Sequence, residues 1–138
     1  MRTQDKLTET YNRLFSHYGP QNWWPADSPF EVMVGAVLTQ AASWTNVEKA
    51  LKNLKDADAL SSQAIRGMPL TELARLVYPS GYYNAKARKL KAMCDFLHDC
   101  YGDDIDRMAR RPTQEIRAEL LDVHGIGNET ADDIILYA

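Results

Sequence analysis

The chain has 138 residues, and its 45% hydrophobic and 25% charged content is typical of one globular domain with a buried core. No apolar run approaches the length of a membrane span and no signal-peptide core follows Met1, so we expect a cytoplasmic protein with no membrane partner. The formal net charge of −3 argues mildly against nucleic acid as a partner, because phosphate-binding proteins are usually basic. Cys94 and Cys100 predict neither a disulfide framework nor a metal site.

Helical periodicity dominates the sequence, and no segment shows the alternation of a strand, so we expect an all-α fold. The first helix carries apolar residues at helical spacing from Leu7 to Tyr18 and ends at Gly19. A second helix begins at Ser28-Pro29-Phe30-Glu31, which has a capping serine and a proline at the first helical position. The next residues, 32–38, carry no charge, so this helix is predicted to lie at the centre of the core.

Helical spacing of apolar residues continues through the middle of the chain. It predicts helices over 44–54, 60–65, 70–77 and 83–101. After an acidic loop, Thr113 is expected to cap a helix that ends at Leu121. The middle of the chain is therefore predicted to be helical throughout, apart from short turns and that loop.

Basic residues are concentrated in two stretches of the sequence. They are Lys86, Arg88, Lys89 and Lys91 in the first stretch, and Arg107, Arg110 and Arg111 in the second. Such a run is more often the solvated face of a helix than a nucleic acid site. Both interpretations stay open from the sequence.

The C-terminal segment 120–138 reads as the end of one helix, a tight Gly125-Ile126-Gly127 hairpin and a second apolar helix. Glycines two apart allow backbone conformations that side chains forbid, and they allow close approach to the main chain. Amides of the hairpin and of the following helix N-terminus then form a site for an anion such as phosphate. The final residues, 134–138, carry no helix-stop signal, so we expect the chain to be a fragment or one piece of a larger assembly.

Three blocks resemble the endonuclease III-like superfamily of helix-hairpin-helix DNA glycosylases, in the same order and at similar separations. The blocks are Ser28–Gln40, Gly81–Ala87 and the Gly125-Ile126-Gly127 hairpin. Within that superfamily the sequence is most similar to the 3-methyladenine DNA glycosylases, which also carry a Trp-Trp-Pro before the capped helix, an aromatic residue after the Leu-Thr-Gln and a Pro-Ser-Gly. The matching positions here are Trp23-Trp24-Pro25, Trp44 and Pro79-Ser80-Gly81.

The resemblance implies an all-α helix-hairpin-helix glycosylase fold in a single helical domain, 1–138. That domain would comprise an N-terminal helix and most of a six-helix domain, without the C-terminal part of the family's fold, and 113–138 would form the helix-hairpin-helix motif. The implied function is base excision repair of alkylated purines such as 3-methyladenine. The partner would be double-stranded DNA with a damaged base, on the nucleoid if the source is bacterial. A lyase-type endonuclease for oxidised pyrimidines and a non-enzymatic DNA-binding module are the alternatives.

The resemblance also implies a base pocket built from Trp23, Trp24, Pro25 and Trp44. A methylated purine is cationic, and an indole face attracts a flat cation by about 1–2 kcal/mol when both are desolvated. Trp24 and Trp44 are expected to sandwich the flipped base, although tryptophans are more often ordinary core residues. Which of the two adjacent tryptophans faces the base is left open.

Contacts to the DNA backbone and the duplex gap follow from the same resemblance. Gln40 would be the wedge that fills the gap left by the flipped base, with Ala41 as the alternative and a helix-capping role for Gln40 equally plausible. Phosphate would be bound by Gly125, Ile126, Gly127, Asn128 and Thr130, with Lys86 as a further contact. A monovalent cation would lie on the backbone carbonyls of Leu121, Val123 and Ile126.

The resemblance places no catalytic residue in this chain. Bifunctional family members have a lysine that attacks the sugar where this chain has Glu129, so a glycosylase of this sequence would be monofunctional and would use water. Asp132 and Asp133 are expected only to suit the helix dipole. The family's catalytic aspartate is expected beyond Ala138, so this chain should not turn over substrate. No cofactor is expected, and an iron–sulfur cluster would have no place.

Overall fold

The structure is a computed structural model that describes residues 2–20 and 24–138, and within these ranges its regular secondary structure is entirely helical. The all-α prediction is confirmed. The helices are α1 (Thr3–Tyr18), α2 (Pro29–Leu38), α3 (Trp44–Asp56), α4 (Ser62–Gly67), α5 (Leu70–Val77), α6 (Tyr83–Tyr101), α7 (Ile105–Ala109), α8 (Thr113–Leu121) and α9 (Asn128–Tyr137). A 3-10 turn over Tyr78–Ser80 joins α5 to α6.

Helix α2 lies at the centre of the core, as its uncharged sequence predicts. The Ser28 hydroxyl accepts a hydrogen bond from the Glu31 amide at 3.2 Å, and Pro29 occupies the first turn. Every residue from 32 to 38 is buried, and α2 packs against α3, α6 and α9. The end of α2 therefore sits where helices from both halves of the chain meet.

Helices α3 and α6 both pack against α2. The Ser43 hydroxyl caps α3 by accepting from the Asn46 amide at 3.3 Å, and α3 buries an apolar stripe at helical spacing. On α6 the predicted stripe is buried from Ala87 to Tyr101, while Tyr83 stays partly exposed and packs its ring against Tyr78 at a centroid distance of 4.8 Å.

Two local expectations differ from the structure. The acidic loop contains the five-residue helix α7, which Asp104 caps through the Arg107 amide and which buries a single residue, Met108. The residue that caps α8 is Pro112, with no side-chain cap bond, so the prediction that Thr113 caps this helix is wrong. Helix α7 was not predicted because five residues are too few to show a helical period.

Helix α1 differs from the others because none of its residues is buried. Its large apolar side chains are exposed, and the rings of Tyr11 and Phe15 stack with their centroids 5.9 Å apart. None of the helices in the described ranges has the length and apolar character needed to cross a bilayer.

Candidate functional site

The hairpin between α8 and α9 is fixed by short-range backbone hydrogen bonds. The Val123 amide donates to the Leu120 carbonyl at 3.0 Å, and the Ile126 amide donates to the Val123 carbonyl at 3.1 Å. Ile126 is buried and anchors the turn in the core, while Gly127 is exposed as the N-cap of α9. Because Gly127 has no side chain to cap the helix, the first amides of α9 are left for an external acceptor.

Gly125 is required by two features of the turn. Its φ of +85° lies in the left-handed region that favours glycine. A Cβ built on Gly125 would also lie 2.1 Å from the Cγ of Lys89 on α6, because the lysine methylenes cover the turn. At Gly127 a Cβ would meet nothing within 4 Å. The two glycines of the motif thus have different roles, one in packing and one in access to the main chain.

The side chains predicted to bind phosphate divide into exposed and buried ones. Asn128 is exposed, and its amide oxygen accepts a bond from Arg117 at 3.3 Å. Thr130 is 5% exposed, and its hydroxyl accepts a bond from Gln40. Thr130 therefore faces the protein interior, and the surface available to an anion is the backbone at Gly127 and the start of α9.

Gln40 does not project from the surface as a wedge would. Its amide nitrogen donates to the Gly125 carbonyl and to the Thr130 hydroxyl, both at 2.9 Å, and its amide oxygen accepts from the Lys89 ammonium at 2.7 Å. Insertion into DNA would break all three bonds, so the wedge prediction for Gln40 requires a rearrangement of this side chain. The neighbouring Ala41, named as the alternative, is exposed at the tip of the same loop with a left-handed φ of 50°.

Lys86 is 1% exposed and cannot reach DNA, so the predicted phosphate contact of this residue is wrong. Its ammonium donates to the carbonyls of Leu38 at 2.9 Å and Ser80 at 2.6 Å, where α2 and the 3-10 turn end. Burial, together with the charge of Lys89, lowers the pKa of Lys86 to about 8. Lys91 similarly bonds the carbonyls of Ile65, Arg66 and Met68 at the end of α4. The lysines of the first basic stretch thus bind internal acceptors.

A cavity of about 300 Å³ opens between the loop before α2, the end of α2, the start of α3 and the first turns of α9. Its lining consists of Trp24, Pro25, Thr39, Trp44, Glu129 and Asp133. Trp23 lies outside the described residues. The structure thus places the three described pocket residues predicted from the sequence around one cavity, and it adds three polar ones.

The two tryptophans do not leave a slot between them. Their ring centroids are 5.6 Å apart with an interplanar angle of 82°, so the edge of one ring meets the face of the other. The Tyr137 ring also packs on Trp24, with a centroid distance of 5.2 Å. The predicted sandwich of a base between Trp24 and Trp44 is therefore wrong for this arrangement, in which the rings form adjacent walls.

Gly35 on α2 makes room for the Trp24 ring. A Cβ at position 35 would lie 3.4 Å from the indole nitrogen of Trp24, at the near limit of van der Waals contact. That nitrogen is buried without a hydrogen-bond partner. The Trp24 ring thus packs directly over a glycine eleven positions later in the chain.

Glu129 and Asp133 place two carboxylates at the cavity because they lie one helical turn apart on α9. Burial raises the pKa of Asp133, and the negative charges of Glu129 and Asp132 raise it further. Asp132 lies on another face, where its hydrogen bond with Arg117 at 2.8 Å lowers its pKa. The i, i+4 spacing of Glu129 and Asp133 could have predicted that their side chains share one face of α9, but the sequence does not show that this face meets the cavity.

Comparisons with known proteins agree with this architecture. Residues 34–134 match the model of the HhH-GPD family, which is described as a superfamily of base excision DNA repair proteins. A protein of Methanocaldococcus jannaschii named as a candidate DNA repair glycosylase is 45% identical over 136 residues, which are 97% of this chain and 61% of that protein. Endonuclease III of Thermotoga maritima is 28% identical over 84% of this chain and 50% of its own length.

Solved structures are similar over nearly the whole chain. The 3-methyladenine DNA glycosylase of H. pylori, solved with bound 1,N6-ethenoadenine, superimposes with a TM-score of 0.76 at 34% identity, covering 96% of this chain and 62% of that one. An endonuclease III trapped on DNA gives a TM-score of 0.74 at 24% identity, which supports the fold alone. This chain thus spans about three fifths of the length of these two structures. With the family match over residues 34–134 and the hairpin at the position the motif requires, the chain belongs to the HhH-GPD superfamily of base excision DNA repair proteins.

Proposed function

We propose that this chain is the DNA-binding and base-recognising part of a monofunctional glycosylase that acts on alkylated purines such as 3-methyladenine in double-stranded DNA. The observation that carries the proposal is the cavity beside the hairpin, whose lining combines the aromatic rings of Trp24 and Trp44 with the carboxylates of Glu129 and Asp133. A function in repair would place the protein in the cytoplasm, on the nucleoid of a bacterial cell.

The cavity chemistry favours a flat cation over a neutral base. Removing a base from duplex DNA requires the nucleotide to be flipped into a pocket. A purine methylated at a ring nitrogen is positively charged, so the indole faces attract it by about 1–2 kcal/mol, and the two carboxylates add to this attraction. An oxidised pyrimidine is neutral and gains neither contribution. The adjacent walls formed by Trp24 and Trp44 would contact one face and one edge of the base.

Monofunctional chemistry is supported by the lining of the same cavity. Among the described residues that form it there is no lysine, and Glu129 stands where the family resemblance places the Schiff-base lysine of the lyases. Water would then be the nucleophile. The aspartate that the resemblance implies beyond Ala138 would stabilise the positively charged sugar in the transition state.

The hairpin supplies the proposed contact with the DNA backbone. The amides at Gly127 and the start of α9 would bind one phosphate, which positions the duplex without reading its sequence. Carbonyls of Leu121, Val123 and Ile126 are proposed to hold a monovalent cation, since carbonyl oxygens suit hard cations. The Val123 oxygen already accepts the Ile126 amide and keeps a second lone pair for such an ion.

The experiment compares this chain with a chain extended at its C-terminus by the region that its longer relatives possess. We expect both to bind a duplex that contains one N7-methylguanine more tightly than an unmodified duplex. We expect only the extended chain to release methylated purines, without a borohydride-trapped adduct. Trp44→Ala should remove the preference for the methylated duplex, whereas Tyr11→Ala, at an exposed aromatic on α1, should leave it unchanged.

Each alternative function predicts a different result. A trapped covalent adduct and release of oxidised pyrimidines would favour a lyase-type endonuclease. Duplex binding without release by either chain would favour a non-enzymatic DNA-binding module. An unchanged preference in Trp44→Ala would contradict the assignment of the base pocket.

A further inference from the structure

The side chain of Gln40 joins the loop after α2 to three residues distant in sequence. It donates both amide hydrogens, one to the Gly125 carbonyl and one to the Thr130 hydroxyl, and it accepts from the Lys89 ammonium. Gly125 and Thr130 lie 85 and 90 positions later in the chain. Glutamine is suited to these partners because one amide group offers two donors and an acceptor.

The hairpin is held from two sides through this arrangement. Gln40 binds the carbonyl of Gly125, and the methylenes of Lys89 cover its Cα where any other residue would have a Cβ. Lys89 in turn donates to Gln40, so the two side chains support each other. The same amide group fixes Thr130, which directly follows the cavity residue Glu129.

The residues that flank Gln40 face the cavity and the solvent. Thr39 lines the cavity, and its hydroxyl is fixed by a 3.0 Å bond to the Ala36 carbonyl. Ala41 is exposed at the tip of the loop. Three consecutive residues thus provide a wall of the cavity, a bond to the hairpin and an exposed tip.

We propose that Gln40 is a positioning residue that fixes the phosphate-binding hairpin and the aromatic cavity in one geometry. A phosphate held at Gly127 then lies at a set distance from the cavity, so a nucleotide next to that phosphate is aligned before binding rather than during it. Such preorganisation lowers the ordering that binding would otherwise require. The ligand is DNA only if the proposed function holds, whereas the mechanical link between hairpin and cavity is a property of the free protein.

The test compares Gln40→Met, which keeps the length of the side chain and removes its polar group, with Gln63→Met at an exposed site on α4. In the free protein, Gln40→Met should speed hydrogen exchange of the hairpin amides at least ten-fold and shift the NMR signal of the Trp44 indole. Gln63→Met should change neither signal. Gln40→Glu keeps the acceptor for Lys89 and loses both donors, so its hairpin should exchange as fast as in Gln40→Met.

Duplex binding provides the functional measurement. Gln40→Met should lower the affinity for an N7-methylguanine duplex about ten-fold and for an unmodified duplex by less, because alignment with the cavity matters only for the flipped base. A change confined to the hairpin, with the Trp44 indole unaffected, would overturn the proposal, as would equal losses for both duplexes. If the wild-type chain binds no duplex, the proposed function fails, and the exchange and indole data still decide whether Gln40 links hairpin and cavity.

Discussion

The ammonium nitrogen of Lys86 lies 2.9 Å from the carbonyl oxygen of Leu38, the last residue of α2. A second bond of 2.6 Å reaches the Ser80 carbonyl, so one buried side chain satisfies acceptors at the ends of two elements. The last carbonyls of a helix have no partner within the helix, so these bonds satisfy acceptors that would otherwise be buried without a donor. Lys86 therefore stabilises the point at which the loop with Thr39 and Gln40 begins.

We expect Lys86→Met to lower the free energy of unfolding by about 2 kcal/mol, because it leaves two buried carbonyls without a donor. Urea unfolding followed by circular dichroism measures the loss. Lys49→Met, at an exposed position on α3, should be close to neutral. Equal values for the two variants would show that the bonds to Leu38 and Ser80 contribute nothing to stability.

The lowered pKa of Lys86 predicts an unusual dependence of stability on pH. The folded protein releases the proton at about pH 8, while the unfolded chain keeps it up to its ordinary pKa of 10.5. Between these values the unfolded state binds more protons, so the contribution of Lys86 to stability rises with pH. The neutral amine still has two hydrogens for its two acceptors.

The stability difference between wild type and Lys86→Met should therefore grow from pH 7 to pH 9. The raised pKa values of the Cys94 thiol and the Tyr101 hydroxyl, each about 12, lower stability as the pH approaches the unfolded values of 9.0 and 10.0. They act equally on both proteins and cancel in the difference. Urea unfolding of wild type and Lys86→Met at pH 7, 8 and 9 measures this stability difference. A difference that shrinks as the pH rises would contradict the buried ammonium.

The helices could be predicted from the sequence because their signals are local. Ser28 and Pro29 mark the start of α2, and the apolar spacing of α6 needs only neighbours three and four positions away. Helix α7 was missed because five residues hold too little of a period. The exposed side of α1 was not predictable either, since a stripe such as Leu7 to Tyr18 indicates an amphipathic helix and does not show what covers it.

The roles of polar residues in the site were predicted less well because they depend on distant partners. Lys86 and Gln40 look like surface groups in sequence, and only the meeting of α2, α6 and the hairpin turns them inward. The family resemblance places Trp24 and Trp44 at one cavity, yet neither their mutual angle of 82° nor the contact of Trp24 with Tyr137 can be read from the sequence. Residue types predicted the chemistry of the cavity, and side-chain packing decided its shape.

The two glycines of the hairpin should respond differently to alanine. Gly125→Ala requires a left-handed backbone at a non-glycine residue and displaces Lys89, so we expect a loss of at least about 2 kcal/mol in stability. Gly127→Ala has room for its methyl group, so its free energy of unfolding should lie within about 0.5 kcal/mol of the wild-type value. Thermal and urea unfolding of both variants provide the comparison.

Duplex affinity separates the two roles further. Gly127→Ala keeps the amide but adds a methyl group to the exposed surface on which a phosphate would approach the main chain. It should therefore weaken binding to damaged and undamaged duplexes by the same factor, about five-fold, which corresponds to one hydrogen bond of ~1 kcal/mol to phosphate. A loss confined to damaged DNA would assign Gly127 to the pocket instead of the phosphate.

Asp133→Asn should increase stability at neutral pH while it weakens recognition of a cationic base. The raised pKa of Asp133 means that its ionised form opposes folding at pH 7, and this cost disappears below the unfolded pKa of 3.8, where the carboxyl is protonated in both states. We expect a gain of less than about 1 kcal/mol for this partly exposed group. Preference for an N7-methylguanine duplex should fall about three-fold, because one of two carboxylates loses its charge.

The neighbouring Asp132 provides a control of opposite sign. Its hydrogen bond with Arg117 lowers its pKa, so ionisation of Asp132 favours folding at pH 7 and Asp132→Asn should decrease stability slightly. Asp132 does not line the cavity, so the preference for the methylated duplex should stay unchanged. Melting temperatures that move in the same direction for both variants, or an equal loss of preference, would refute the assignment of Asp133 to the cavity. Opposite shifts would show that two adjacent carboxylates serve different faces of α9, one in binding and one in the pairing of α8 with α9.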